Sequence, residues 1–260
     1  KKSFKSPTQD LQSILFINHD NALLLLDGIV NHFLFFMSLN GSVLRRVDLT
    51  KSSIDRVVLS ADSTLSVITD LDNSLEMFNN KNFLSLARLT LPQIIEHTDA
   101  NLFFQEEVDE TNQIIGKKIR KFAPNLKLKA AFTKALKPEI GKFTLVRFSA
   151  DCNFLAMVSS LFPSLLFILD LKTESIVSCV KFEGSVSNLF WKSDNTLIVL
   201  CANHIVYFWT KRSIFVSEMY YQKQARFSGF EVSEDDECLV FRDYQKVCIF
   251  SGDDWGNLVQ

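Results

Sequence analysis

The sequence predicts an all-β chain built from small, repeated antiparallel sheets, and three observations predict it. The first is the stretch from Phe143 to Phe182. Apolar runs at 143–148, 154–158, 165–169 and 175–182 are short and rich in β-branched or aromatic residues, with Ser, Asp, Asn and Pro between them. Short strands joined by turns read this way. The second is that the phrase recurs. Ile17-Asn18-His19-Asp20, Leu59-Ser60-Ala61-Asp62, Phe148-Ser149-Ala150-Asp151, Trp191-Lys192-Ser193-Asp194 and Val232-Ser233-Glu234-Asp235 occupy equivalent places, and the steps between their Asp residues are 42, 89, 43 and 41. The long step is one period plus an insertion of roughly 46 residues. The third is that each Asp is followed 15 to 18 positions later by an apolar residue closing the third run: Met37, Phe78, Leu169, Trp209 and Phe250.

A period of about 40 to 45 residues is that of WD repeats, whose Trp-Asp pair sits at this third position. Only Leu169-Asp170 keeps the Asp and only Trp209 keeps the Trp, so the repeats are divergent. Five matches in register predict a WD40-type β-propeller, with about five four-stranded blades in this chain, as part of a larger propeller. Residues 1–92 are expected to hold two blades, 93–140 a charged insertion and 141–260 three blades.

In chain order, a polar lead-in precedes strands at 11–17, 22–26, 32–37 and 43–49, with Asn40-Gly41 as the hairpin turn before the last. The second blade has strands at 54–59, 64–69, 74–78 and 83–89, with turns at Asp72-Asn73 and Asn79-Asn80, and Pro92 ends it. After the insertion comes the blade at 143–182, then strands at 186–191, 196–201, 204–209 and 214–217. The fifth blade reads 226–232, 238–241 and 246–250. Its first turn, 231–237, carries five acids and reads as a solvated tip. Residues 251–255 are rich in turn formers, so the fourth strand there is expected to come from elsewhere in the protein.

The insertion carries the charge contrast. Glu106, Glu107, Asp109 and Glu110 form an acidic cluster, and residues 102–104 read as a short strand. From 113 to 142 there are nine cations against one acid, Glu139. Lys117, Lys118, Arg120, Lys121, Lys127 and Lys129 are the candidate partner-binding residues, because a block of one sign steers an oppositely charged partner. The alternative is a solvated loop. Residues 126–136 read equally as a short helix or as an extended return to the sheet. Arg45 and Arg46 invite comparison with the Arg-Arg-Gly motif of phosphoinositide-binding propellers. Val47 replaces the Gly, and strand alternation sends the two side chains to opposite faces, so they read as solvated strand charges. His19 and His32 stand alone and read as surface or packing residues.

Composition bounds the remaining classes. With 260 residues, 47% hydrophobic, the chain can bury a large core, and 24 Phe suit packed sheet faces. A net charge of -2 gives no general attraction to nucleic acid or an anionic membrane, and no apolar stretch approaches the length of a membrane span. The five Cys (152, 179, 201, 238, 248) are odd in number and lack C-x-x-C spacing, so buried reduced thiols are expected. There is no Gly-rich phosphate loop, no H-E-x-x-H, no metal spacing and no nucleophile elbow, so neither an enzyme nor a cofactor is predicted.

Pro138-Glu139-Ile140-Gly141, leading into Arg147-Phe148-Ser149-Ala150-Asp151 and Phe154-Leu155-Ala156, resembles a family of spindle-pole and centrosomal WD-repeat proteins with animal and fission-yeast members. Val186, Trp191, Leu197 and Tyr207-Phe208-Trp209 are similar too, as is the turn at Ser38-Leu39-Asn40-Gly41. The order also matches: two blades, a long insertion, three blades. Departures are Phe at several Trp positions and a more basic insertion. The resemblance implies the C-terminal half of a non-enzymatic scaffold, an expectation that the opening Lys1-Lys2 shares. Its implied partners are a coiled-coil spindle-pole anchoring protein, a minus-end-directed kinesin and, indirectly, tubulin, with no nucleic acid and no membrane. Its implied place is the cytoskeleton, at the centrosome or at the spindle pole body, including its nuclear face. The alternative is a general WD-repeat adaptor in ubiquitin ligation or ribosome assembly.

Overall fold

The computed structural model describes residues 3–27, 32–49, 54–99, 102–109, 119–125, 141–202, 205–218, 229–233, 235–236, 238–242 and 247–251. They fall into two compact units. The first comprises Lys1–Ile94, Lys137–Phe143 and Ser159–Leu161; the second comprises Ile95–Leu136, Thr144–Val158 and Phe162–Gln260.

The first unit holds two sheets. One runs β1 (Leu11–Ile17), β2 (Ala22–Asp27), β3 (Phe33–Ser38), β4 (Val43–Asp48); the other runs β5 (Ile54–Leu59), β6 (Leu65–Asp70), β7 (Ser74–Asn79), β8 (Leu84–Thr90). Both are antiparallel meanders in sequence order, the blade unit of a propeller. β2 is buried at every position, whereas β4 is almost wholly exposed. A blade's middle strands are covered on both faces, which is why Leu23-Leu24-Leu25-Leu26 is continuous rather than alternating. Leu24, Leu26, Leu34 and Phe36 of the first sheet meet Ile54, Ile68 and Phe78 of the second. Fully burying each such side chain is worth about 1.5–3 kcal/mol.

A helix, α1 (Leu91–His97), follows β8. The sequence reading ended the blade at Pro92 and expected no helix. Its signal was Thr90-Leu91-Pro92-Gln93, a capping box. The Gln93 amide N–H donates to Thr90 Oγ1 (3.4 Å), and the Thr90 amide N–H donates to Gln93 Oε1 (3.0 Å).

The second unit contains β9 (Phe103–Asp109), β10 (Ile119–Pro124), β11 (Phe143–Phe148), β12 (Phe154–Ser159), β13 (Phe162–Asp170) and β14 (Ser175–Lys181), in one sheet ordered β10-β9-β14-β13-β12-β11. Phe143 and Ser159, at two strand ends, cluster with the first unit. The next sheet runs β15 (Val186–Trp191), β16 (Leu197–Cys201), β17 (Ile205–Trp209), β18 (Ile214–Glu218). The last runs β19 (Gly229–Val232), β20 (Cys238–Arg242), β21 (Val247–Ser251). Of residues 251–255, where the sequence suggested no good fourth strand, Ser251 ends β21 and the others lie outside the described residues. The chain is thus all-β, made of WD40-type propeller blades. Met37, Phe78, Leu169 and Trp209 close third strands as their spacing required, and Phe250 lies in β21.

The Asp register has a structural counterpart. In all five turns a backbone amide bonds back to the carbonyl three residues earlier: Asn21 to Asn18 (3.2 Å), Ser63 to Ser60 (2.9 Å), Cys152 to Ser149 (3.0 Å), Asn195 to Lys192 (3.0 Å) and Asp236 to Ser233 (2.9 Å). In the last four the residue after the Asp is left-handed, with φ of 54°, 57°, 64° and 58°. The first blade departs, with positive φ at Asn18, His19 and Asp20. Ser149 shows what the side chains do. Its Oγ donates to Asp151 Oδ1 (2.7 Å) and accepts the amide N–H groups of Asn153 (3.1 Å) and Phe154 (2.9 Å). Burial pushes the Asp151 carboxyl up, but hydrogen bonds from Ser149, Asn153 and Asn195 hold it below its ordinary 3.8.

Aromatic packing fills the second unit. Phe154 stacks on Trp191 with ring planes 16° apart, and Trp191 meets Trp209 edge-to-face at 5.9 Å. The Trp191 indole N–H donates to the Arg147 carbonyl at 3.1 Å, which satisfies its polar atom. Cys179 and Cys201 are buried and outside any disulfide, as expected, with burial raising the Cys179 pKa. Cys152 and Cys238 are also outside any disulfide but only half-buried, because both flank turns.

In the first unit the chain leaving the insertion is pinned to the second sheet. Asp55 accepts from Lys142 Nζ and from Arg56 Nε, each at 2.7 Å, and Ser159 Oγ donates to Asn73 Oδ1 at 2.6 Å. Gly141 pairs with Asp72 in an isolated parallel bridge, and a Cβ there would run into the Asn73 side chain.

Two outcomes follow from these contacts. Ser149→Ala removes three turn hydrogen bonds and is expected to cost about 1–2 kcal/mol, read as a lower urea midpoint with an unchanged slope. At Asp55, burial pushes the carboxyl up, but hydrogen bonds and charge from Lys142 and Arg56 bring it net below 3.8. A depressed pKa stabilises the fold above the unfolded value, and that contribution is lost as pH falls through the folded value. Asp55→Asn is therefore expected to be less stable than wild type at neutral pH. The gap closes as pH drops below 3.8 in denaturation curves taken along a pH series.

Candidate functional site

The insertion is where this sheet architecture departs from a plain blade. β9 and β10 form an antiparallel hairpin with six registered pairs, from Ile119 opposite Asp109 to Pro124 opposite Phe104. Lys121 lies opposite Glu107, a favourable cross-strand charge pair. β9 then joins the blade in parallel, with Phe103, Phe104 and Gln105 opposite Cys179, Val180 and Lys181. A blade of four strands thus becomes a sheet of six. The predicted strand at 102–104 exists and is longer, and the loop reading fails for residues 103–109 and 119–124.

One buried carboxyl secures the hairpin. Glu106 is only 4% exposed. Its Oε1 accepts the Tyr207 hydroxyl at 2.7 Å, and its Oε2 accepts the Glu183 amide N–H at 2.8 Å. Burying a carboxyl without donors costs several kcal/mol, and these two donors offset that cost when the hairpin docks. Phe122 of β10 supports the same corner, edge-to-face with Phe182 and with Tyr207, each at 6.0 Å. The sequence placed Glu106 in an acidic cluster. The structure separates it from the exposed Glu107, because alternate strand residues face opposite sides.

Docking the hairpin creates a cleft of about 570 Å³ between β10 and the turn that joins β17 to β18. Its apolar wall includes Phe104, Phe122, Trp209 and Ile214. Its cations are Lys121, Lys211 and Arg212, and Ser178, Thr210 and Ser213 add hydroxyls. No acidic residue lines it among the described residues. The far turn is tied down by the Thr210 amide N–H donating to the Ser213 carbonyl at 2.9 Å. Lys211 Nζ lies 3.8 Å from Asp170 Oδ2 and 5.6 Å from the Phe154 ring centre.

Of the candidate residues, Lys121 is exposed on β10 and lines this cleft. Arg120 belongs to β10, but its side chain is outside the described residues, as are Lys117, Lys118, Lys127 and Lys129. The segment 126–136, read as helix or extended, is outside them too. Lys211 and Arg212 were missed. Their signal was a cation pair in the turn directly after the repeat's Trp position.

Elsewhere, Arg45 and Arg46 are both exposed on β4, and the Arg46 guanidinium sits 3.6 Å from the Phe33 ring centre. That is a cation–π contact rather than a phosphate fork. Among the described residues no cluster of three or more His, Cys, Asp or Glu has the geometry of a metal site, and no helix is long and apolar enough to cross a membrane. Asp62, Asp151 and Asp194 accept hydrogen bonds within their own turns.

A double-mutant cycle measures the anchor. Tyr207→Phe removes one donor from Glu106 and is expected to cost about 1–3 kcal/mol. Combined with Glu106→Gln, the two effects fall short of additive by about 0.5 kcal/mol or more in urea unfolding. Additive effects would show that the two side chains do not interact.

No family model matches this chain, and no curated protein matches it. Among solved structures, the β-propeller domain of Cps50 (Swd1) from Myceliophteria thermophila is similar, at 13% identity with a TM-score of 0.41, covering 94% of this chain and 83% of that one. A likeness at that level says nothing about partners.

Proposed function

We propose that this chain belongs to a non-enzymatic WD-repeat scaffold of the spindle pole or centrosome. In this reading it binds a coiled-coil anchoring protein and a minus-end-directed kinesin, and so tethers microtubule minus ends. The observation that carries the scaffold role is the six-stranded blade. A charged insertion is built into a rigid sheet through Glu106 and presents a cation-rimmed cleft, and propellers act by holding such surfaces still. The spindle-pole assignment is supported by the sequence likeness of Arg147-Phe148-Ser149-Ala150-Asp151 and Tyr207-Phe208-Trp209, which lie in this blade and the next.

Affinity purification of the tagged full-length protein from mitotic cells tests it. Recovery of a coiled-coil pole protein together with a minus-end-directed kinesin is the expected result. Recovery of ubiquitin-ligase subunits or preribosomal proteins instead would replace the spindle-pole role with that of a general adaptor.

A further inference from the structure

The cleft beside the inserted hairpin has a composition that selects its occupant. Its apolar wall runs between cations on both sides, Lys121 from β10 and Lys211 and Arg212 from the opposite turn, with no carboxylate lining it among the described residues. Lys211 is partly answered by Asp170 at 3.8 Å and Lys121 lies opposite Glu107 on β9, whereas Arg212 has no ion pair within 4 Å among the described residues. β10 is also the end strand of its sheet. Its outer backbone groups face no other described strand, and such an edge can accept an extended segment. A volume of about 570 Å³ is within the range of pockets that enclose a few side chains.

We infer that this cleft binds a short acidic peptide segment of a protein partner, extended along β10, with an aromatic or branched apolar side chain on the Phe104–Trp209 wall and its carboxylates on Lys121 and Arg212. A second copy of this chain is disfavoured, because edge-to-edge pairing of two β10 strands would bring the adjacent cations Arg120 and Lys121 of both copies to one shared edge. Nucleic acid fits poorly too. The aromatic residues here lie partly within the core, Phe122 against Phe182 and Tyr207, and do not form an open row for base stacking. The inference rests on the scaffold reading above but not on the identity of the partner.

The test uses the full chain and a phage-displayed library of random peptides, with the selected peptides synthesised and titrated by fluorescence anisotropy. Selected peptides are expected to carry Asp or Glu around an aromatic or Leu residue. Their binding is expected to weaken with salt, and to fall by about tenfold or more in the Lys121→Glu/Arg212→Glu protein. Both sites are exposed, so that protein should stay folded, its urea midpoint falling only by the loss of the Lys121–Glu107 pair, and Lys121→Arg should bind as wild type. Failure to select any peptide, selection of basic or uncharged peptides, or equal binding by the charge-reversed protein would overturn the inference. So would competition for the site by oligothymidine or by vesicles containing a phosphoinositide more strongly than by the peptides. If the charge-reversed protein binds the selected peptides as well as wild type while the full-length protein recovers the pole partners, the scaffold reading stands and the cleft assignment falls. If peptides bind but no pole partner is recovered, the reverse holds.

Discussion

The carboxyl group of Glu106 is the constraint on which the functional surface depends. It is taken out of water by docking of the hairpin, and the Tyr207 hydroxyl and the Glu183 amide N–H both donate to it there, which offsets the cost of burial. Those donors come from the fourth blade and from the residues just after β14, so one side chain of the insertion reads whether two adjacent blades are correctly placed. The pairing of β9 with β14 covers only Phe103 to Gln105, a short ladder. Glu106 and the Phe122 contacts extend that attachment beyond the ladder. The cleft walls, β10 and the β17–β18 turn, hold their spacing through the same corner.

The blades themselves rest on a simpler balance. Middle strands such as β2, β12, β16 and β17 are buried at every position, so each sheet is stable only when neighbours cover it. The repeated turn closes each blade's first hairpin with backbone bonds and, where Ser60 or Ser149 is present, with side-chain bonds that replace water on amide groups. This local closure tolerates divergence. Lys192 stands where three other repeats have Ser, and the turn keeps its backbone bond and its left-handed residue. Loss of the Trp-Asp signature is equally tolerated, because Met37, Phe78 and Leu169 fill the same buried place.

What was legible in the sequence is what is local. The Asp register predicted five equivalent turns because each is written in four consecutive residues. Alternation correctly sent Arg45 and Arg46 to different neighbours, opposite Phe36 and Phe35. The capping box at Thr90 was equally local and was overlooked. The docking of the hairpin could not be read this way. Glu106 finds Tyr207 at a separation of 101 residues, and nothing near Glu106 distinguishes it from Glu107 except strand parity. The cleft has the same character: Lys121 was visible as part of a charge block, but Lys211 and Arg212 join it only through the tertiary fold.

Backbone amide hydrogen exchange of the full chain, followed over β9 and β10, tests the central claim most directly. A hairpin locked into the blade through Glu106 should exchange slowly, with β9 protected to a degree comparable with β14, to which it is paired. Exchange of both strands at the rate of an unstructured loop, while β14 stays protected, would contradict it and dissolve the cleft along with the hairpin.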